Sequence, residues 1–389
     1  MHGRWIKVLA ALATAISITA AGLSARADDA GPIELGSSNA LTGPVANSCK
    51  AASDGAAAWF AKVNAEGGVK GRKIDYQVLD DAYDGARAVA NVRELARKPV
   101  LAMIGGCGTT SAVAIAPLAE RLKVPYILPY ATHSDLITPV KPYVFAGVPL
   151  YDKQTAAVVT WALKRFGPGK VAMIAAQAPG TDDWIAAAKR ATEEAGGTFL
   201  DPQVSQPALA DFTPIVLRLK DQDPDYVIVG IAAGDGAHLI ETAKAQQFSP
   251  KKVYLGYSTV ANGIYLQPVA ADLEGRMFAT SPTVPENAPE TQACRDAFAK
   301  YDSSIKLNGF SLWGCLVGQV TSALLAEIDG PLTRESIREK LDTLSNAKLT
   351  NLMPPLNFSK SDHMGIGSVF IFGVKDGEYR VVDTAAIPK

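Results

Sequence analysis

Glycines and hydroxyl side chains, rather than titratable ones, carry the chemistry legible in this chain. The stretch from Met103 to Pro117, MIGGCGTTSAVAIAP, passes from apolar residues through Gly105, Gly106 and Gly108 to Thr109, Thr110 and Ser111, then into an alanine-rich segment. That order predicts a strand, a tight turn and a helix N-terminus, whose free N–H groups and positive dipole end suit an anion. A nucleotide phosphate is excluded. No lysine follows the glycines to reach it, Ser111 stands where a dinucleotide fingerprint needs Gly or Ala, and no acid lies about twenty residues on to hold a ribose. A carboxylate fits better, held by first-turn amides and by the hydroxyls of Thr109 and Thr110 without any cationic side chain. One of the three hydroxyls is expected to cap the helix. The next strand ends in PYATHSDL and brings Tyr130 and Thr132 to the same sheet edge. Open parallel sheets carry their ligand crevice at that edge.

Other reactive patterns are weaker. Gly256-Tyr257-Ser258-Thr259-Val260 resembles a nucleophile elbow but lacks its second glycine. It leaves a secreted α/β hydrolase with Ser258 as nucleophile as the alternative function. His2, His133, His238 and His363 are isolated, with no second ligand at metal spacing. Asp80, Asp81 and Asp84 follow a strand and read as capping or solvated acids rather than a metal site. Nothing calls for a catalytic residue, a metal or a cofactor.

Around these residues the sequence alternates strand and helix signals. PIELGSSNAL, KIDYQVLDD, VLAMIGG and VPYILPY read as strands, separated by helices at about 50–65, in ARAVANVRELAR and at about 111–123. The alternation restarts with KVAMIAA and runs through a strand near 198–204, DYVIVGIAA, a helix at about 236–247 and KVYLGYS. Two successive units of this kind predict an α/β protein of two Rossmann-like lobes, each a parallel sheet flanked by helices. Residues 288–345 read as mainly helical, and the tail as strands around a Lys-Asp-Gly turn suited to a hairpin. Proline clusters in FAGVPLY, ATSPTVPENAP and NLMPPLNF mark the expected connections between lobes.

The chain opens with Arg4 and Lys7, an apolar run and Ala25-Arg26-Ala27, which reads as a signal peptide over 1–27 cleaved after Ala27. No cysteine stands at the cleavage point, so it is not a lipoprotein signal. From 38 basic and 39 acidic side chains, losing Arg4, Lys7 and Arg26 leaves 35 against 39, a net charge of −4. That mildly acidic balance argues against a nucleic-acid partner. No later segment reads as a membrane span. In an oxidising compartment the four cysteines are compatible with two disulfides, Cys49 with Cys107 and Cys294 with Cys315, with buried free thiols as the alternative.

NALTGPVA, NAEGGVKGRKI, LDDAYD, MIGG…TTSAVAIAP, VPYILPYAT, YVFAGVP and DFTPIVLRLK, in that order and spacing, resemble the periplasmic leucine/isoleucine/valine-binding proteins of ABC transporters. The resemblance runs along nearly the whole chain beyond the leader. It implies a type I periplasmic binding fold with a three-stranded hinge, and a solute enclosed between lobe 1 (28–146 plus 281–356) and lobe 2 (147–280 plus 357–389). It also implies a periplasmic location and ABC permease subunits in the inner membrane as partners. Carried onto this sequence, the carboxylate-binding hydroxyls fall on Thr109 and Thr132, a cleft carbonyl on Tyr130 and a first-loop side chain on Ser48. An aromatic packing position falls on Phe310, with Trp313 one turn later. In lobe 2 the loops Pro179 to Trp184 and Ala232 to Asp235 are expected to face the cleft. The family's ammonium-binding glutamate falls on Ser258, with Asp183 or Asp235 as candidate substitutes. A buried cation without a counter-charge costs several kcal/mol. The expected solute is therefore a small carboxylate that need not be an amino acid, an aromatic or other organic acid among them.

Overall fold

Two sheets organise the chain, as described by a computed structural model for residues 31–388 apart from Pro44, Ala178, Pro179 and Pro207. The expected leader at 1–27 and Pro179 lie outside the described residues. The first sheet holds β1 (Ile33–Asn39), β2 (Ile74–Asp80), β3 (Ala102–Ile104), β4 (Tyr126–Ile127) and β5 (Val144–Phe145), all parallel, in the order β2-β1-β3-β4-β5. Helices α1 (Ala46–Ala65), α2 (Gly85–Arg97) and α3 (Thr109–Leu122) connect them. Asp84 caps α2, its carboxylate accepting the Arg87 N–H at 2.8 Å, so this acid does serve as a cap.

The second sheet has eight strands, β6 (Lys170–Ala176), β7 (Thr198–Phe199), β8 (Gln203–Ser205), β9 (Tyr226–Gly230), β10 (Val253–Gly256), β11 (Met277–Ser281), β12 (Ser368–Lys375) and β13 (Glu378–Ala386). Their order is β13-β12-β11-β10-β9-β6-β7, with β8 also on β6. The strand expected near 198–204 is thus two short ones. The sheet is parallel except at β12 and β13, which run antiparallel through the turn at Asp376 and Gly377, both at positive φ. Its helices are α4 (Tyr151–Phe166), α5 (Thr181–Glu194), α6 (Thr213–Gln222), α7 (Ala233–Ala245) and the single turns α8 (Gly263–Leu266) and α9 (Ala270–Leu273).

Between β11 and β12 the chain returns to the first sheet as α10 (Gln292–Tyr301), α11 (Gly309–Ala326) and α12 (Arg334–Leu341). Asn308 and Ser311 form a capping box that starts α11. This helix is apolar and long enough to cross a membrane by length and composition, contrary to the sequence reading, but most of it is buried. It packs on α1 so closely that a Cβ on Gly314 would lie 1.9 Å from the Ala52 carbonyl oxygen. Small residues on both helices allow that approach.

The chain passes from the first sheet to the second after β5 and returns after β11, where Val284 enters the first core. The third passage lies just before β12, about ten residues beyond the expected place at 356. Leu356, Phe358 and Ile366 are all buried in the first core, and Met364 bridges to Ala146, so residues 357–366 side with the first sheet rather than the second. Cys49 joins Cys107, and Cys294 joins Cys315, with Cα separations of 5.1 and 6.0 Å.

Candidate functional site

The carboxyl ends of β1, β3 and β4 form one wall of a cavity of about 230 Å³. The β3–β4 pairing continues past the strands themselves. Tyr130 donates its N–H to the Gly106 carbonyl at 2.8 Å, and Gly108 donates to the Tyr130 carbonyl at 3.2 Å. Those two bonds place the start of α3 beside the Tyr130–Thr132 segment, where the Thr132 N–H approaches the Thr109 hydroxyl at 3.5 Å. Gly105, Gly106 and Gly108 all have positive φ. A Cβ on Gly108 would also lie 2.6 Å from the Tyr83 ring, so the turn requires glycine there. The Cys49–Cys107 disulfide ties α1, and with it Ser48, to this turn.

No side chain caps α3, contrary to the expectation that one of its three hydroxyls would. Its first-turn N–H groups therefore keep their capacity for an anion. Thr109 lines the cavity. Thr110, one residue on and turned about 100° around the helix, is exposed and outside it.

Aromatic rings close the same side. Tyr130 meets Phe310 edge-on at 5.3 Å and Trp313 at 5.4 Å, both at the start of α11. The facing wall comes from the second sheet's body: Tyr151 opens α4, and Ser258 to Asn262 follow β10. Gln154, fully buried on α4, accepts the Ser258 N–H at 2.9 Å and the Thr280 hydroxyl at 3.3 Å, and donates to the Pro149 carbonyl at 2.6 Å. It thereby ties the Ser258 loop to two of the passages between sheets. Burial pushes the Tyr130 phenol well above its ordinary range; the nearby Tyr151 phenol adds to this and the Ser258 hydroxyl works against it.

Among the described residues, no Asp, Glu, Lys, Arg or His lines this cavity. Of the expected site residues, Ser48, Thr109, Tyr130, Thr132, Ser258 and Phe310 come together in it, whereas Thr110, Asp183, Trp184 and Asp235 do not. Trp184 turns into the core and donates its indole N–H to Thr155 at 2.7 Å. Asp183 is exposed on α5, and Asp235 accepts the Ala208 N–H at 3.0 Å. The cause is strand order: β10 and β11 reach the cavity, while β9 and β6 lie one and two strands further across the sheet. Tyr151, Asn262, Ser281 and Thr283 line the cavity without having been foreseen. The proline-marked FAGVPLY and ATSPTVPENAP segments flag three of them, since a passage between two bodies borders whatever lies between. Asn262, six residues past β10, carries no such signal.

Glu286 stands just behind this wall, accepting the N–H groups of Gly309 and Gly263. Burial raises its carboxyl above the usual value against the pull of those two donors. No histidine accompanies Ser258 among the lining residues, so a nucleophile–base pair is absent there. His363 is buried instead beside Asp342, at 3.1 Å.

The chain is 25% identical over 353 residues to the Leu/Ile/Val/Thr-binding protein of Salmonella typhimurium, covering 90% of this chain and 92% of that protein. It is 24% identical over 374 residues to the Leu/Ile/Val-binding protein of Escherichia coli K12, covering 95% and 96%. Among solved structures it matches a branched-chain amino acid ABC transporter protein from Thermus thermophilus with bound valine, at TM-score 0.80 and 20% identity over 92% of this chain and 98% of that one. A fatty acid ABC transporter substrate-binding protein from Thermomonospora curvata superposes at TM-score 0.76, with 22% identity over 92% and 93%. Those likenesses establish the type I periplasmic binding fold. The sequence relatives are binding proteins, not enzymes. The family model of the periplasmic binding proteins matches residues 32–378, and the chain belongs to that family.

Proposed function

We propose that this chain is the extracytoplasmic solute-binding component of an ABC importer and that it captures a small aromatic carboxylate lacking an ammonium group. The carboxylate lies against the first-turn amides of α3 and the hydroxyls of Thr109 and Thr132, while Tyr130, Phe310 and Trp313 enclose the ring. The two bodies act as lobes that close on the solute and present it to permease subunits in the inner membrane. The leader at 1–27 delivers the chain to the periplasm.

One observation carries the ligand assignment: a cavity with unfilled donors at one end, aromatic walls and no charged side chain. An α-amino acid would bring an ammonium with no counter-charge, at a cost of several kcal/mol. Glu286 is an acid behind the wall, and its carboxylate already serves two backbone amides. Size agrees as well. A cavity of about 150 Å³ takes benzene, and about 230 Å³ leaves room for a carboxylate and one further substituent.

Thermal shifts of the mature protein test this. Benzoate and its ring-substituted relatives should raise the transition temperature, since ligand at a hundred times its Kd adds about 2.7 kcal/mol. Leucine and valine should not. The reverse pattern would overturn the aromatic assignment and leave the transport role in place.

A further inference from the structure

Two polar atoms at this cavity have no partner. The Ser258 hydroxyl oxygen and the Trp313 indole nitrogen are both buried and make no hydrogen bond among the described residues. Ser258 is 8% exposed and Trp313 1% exposed, and both residues line the cavity. Buried polar atoms without partners are rare and destabilising in native structures, so two at one cavity need an explanation. They come from opposite walls, Trp313 from α11 and Ser258 from the loop after β10.

The surroundings remove the simpler accounts. Gln154 engages the Ser258 backbone N–H and fixes the loop, but leaves the hydroxyl without a partner. Tyr130 is near enough for its phenol to feel that hydroxyl, but the two do not meet in hydrogen-bonding geometry. Two other polar side chains of the cavity do have partners, Ser281 with Thr283 and Asn262 with the Thr259 carbonyl. An indole N–H only donates, while a serine hydroxyl donates or accepts. A single oxygen acceptor on the solute satisfies both. With no cationic side chain among the described residues that line the cavity, an uncharged oxygen is favoured there over a second carboxylate.

Resting on the carboxylate reading above, we propose that Ser258 and Trp313 form a second polar station selecting a solute that carries, besides its carboxylate, an uncharged hydroxyl or carbonyl oxygen. Titration calorimetry with benzoate and with hydroxy- and methylbenzoates substituted at the meta and para positions tests it. One hydroxylated acid should bind at least about tenfold more tightly than its methyl counterpart, which has nearly the same size. Ser258→Ala should shrink that ratio toward one. Trp313→Phe, which retains a ring and removes the N–H, should shrink it as well. Should Trp313→Phe fail to fold, Ser258→Ala alone decides. Equal binding of both members of each pair by the wild type would overturn the station and leave the aromatic-acid reading standing. Binding of none of these acids would overturn both.

Discussion

Thr132 and Thr109 hold their places through backbone pairing rather than through caps or charges. Replacing Thr132 with alanine removes one hydrogen bond to an ionised group and leaves the turn intact. Affinity for an aromatic acid should fall by about 1.5–3 kcal/mol, read by calorimetry with the melting temperature unchanged. Unaltered affinity would remove Thr132 from the anion site. The phenols around the cavity bear on pH. Burial raises Tyr130 and Tyr257 far above neutrality, so neither gains charge in the physiological range. The residues legible in the sequence were those next to a strong local signal. Thr109 follows three glycines, and Thr132 lies five residues past the apolar strand β4. Asp183, Trp184 and Asp235 misled because each begins a helix after a strand of the second sheet, and sequence does not reveal which of those strands borders the other body.

The element that matters most is the turn joining β3 to α3. Gly108 sits at a φ of 113°, and any side chain there would run into Tyr83. Gly108→Ala should therefore cost about 1–3 kcal/mol of stability and weaken solute binding together. Parallel losses in melting temperature and calorimetric affinity would show it; a variant as stable as wild type would refute the strain. Most helices and the final hairpin were readable from period and punctuation, as with Asp84 ahead of α2 and Asp376-Gly377 between β12 and β13. Helix α11 was readable as a helix but not as the centre of the first core. Its pairing with α1 joins residues some 250 positions apart, and such contacts leave no local trace. The third passage was misplaced for a related reason. Prolines mark a bend, but Phe358 and Ile366 decide which core the chain stays in.

At the scale of the whole molecule, Glu286 joins the two bodies by accepting from Gly309 on one side and Gly263 on the other. Nearby, Asn287 donates to Glu378 at 2.6 Å. Because burial raises the folded-state pKa of Glu286, the native protein binds its proton more tightly than the unfolded chain does. Its contribution to stability is fully present below the unfolded value and is lost as pH rises through the raised one. Glu286→Gln should flatten the decline in melting temperature above about pH 4 relative to wild type. Identical slopes in the two proteins would dismiss this role. The return of the chain to its first sheet has a temporal consequence as well. Leu312, Trp313, Phe358 and Ile366 complete a core begun by Ile33 and Leu35. A nascent chain therefore cannot seal its N-terminal half until nearly all of it has been synthesised, although domains otherwise tend to fold as they emerge. A fragment ending after residue 300 should show no cooperative melting, and a sharp transition in it would disprove the dependence. This late closure leaves the N-terminal half without a finished interior until the last sixth of the chain is made.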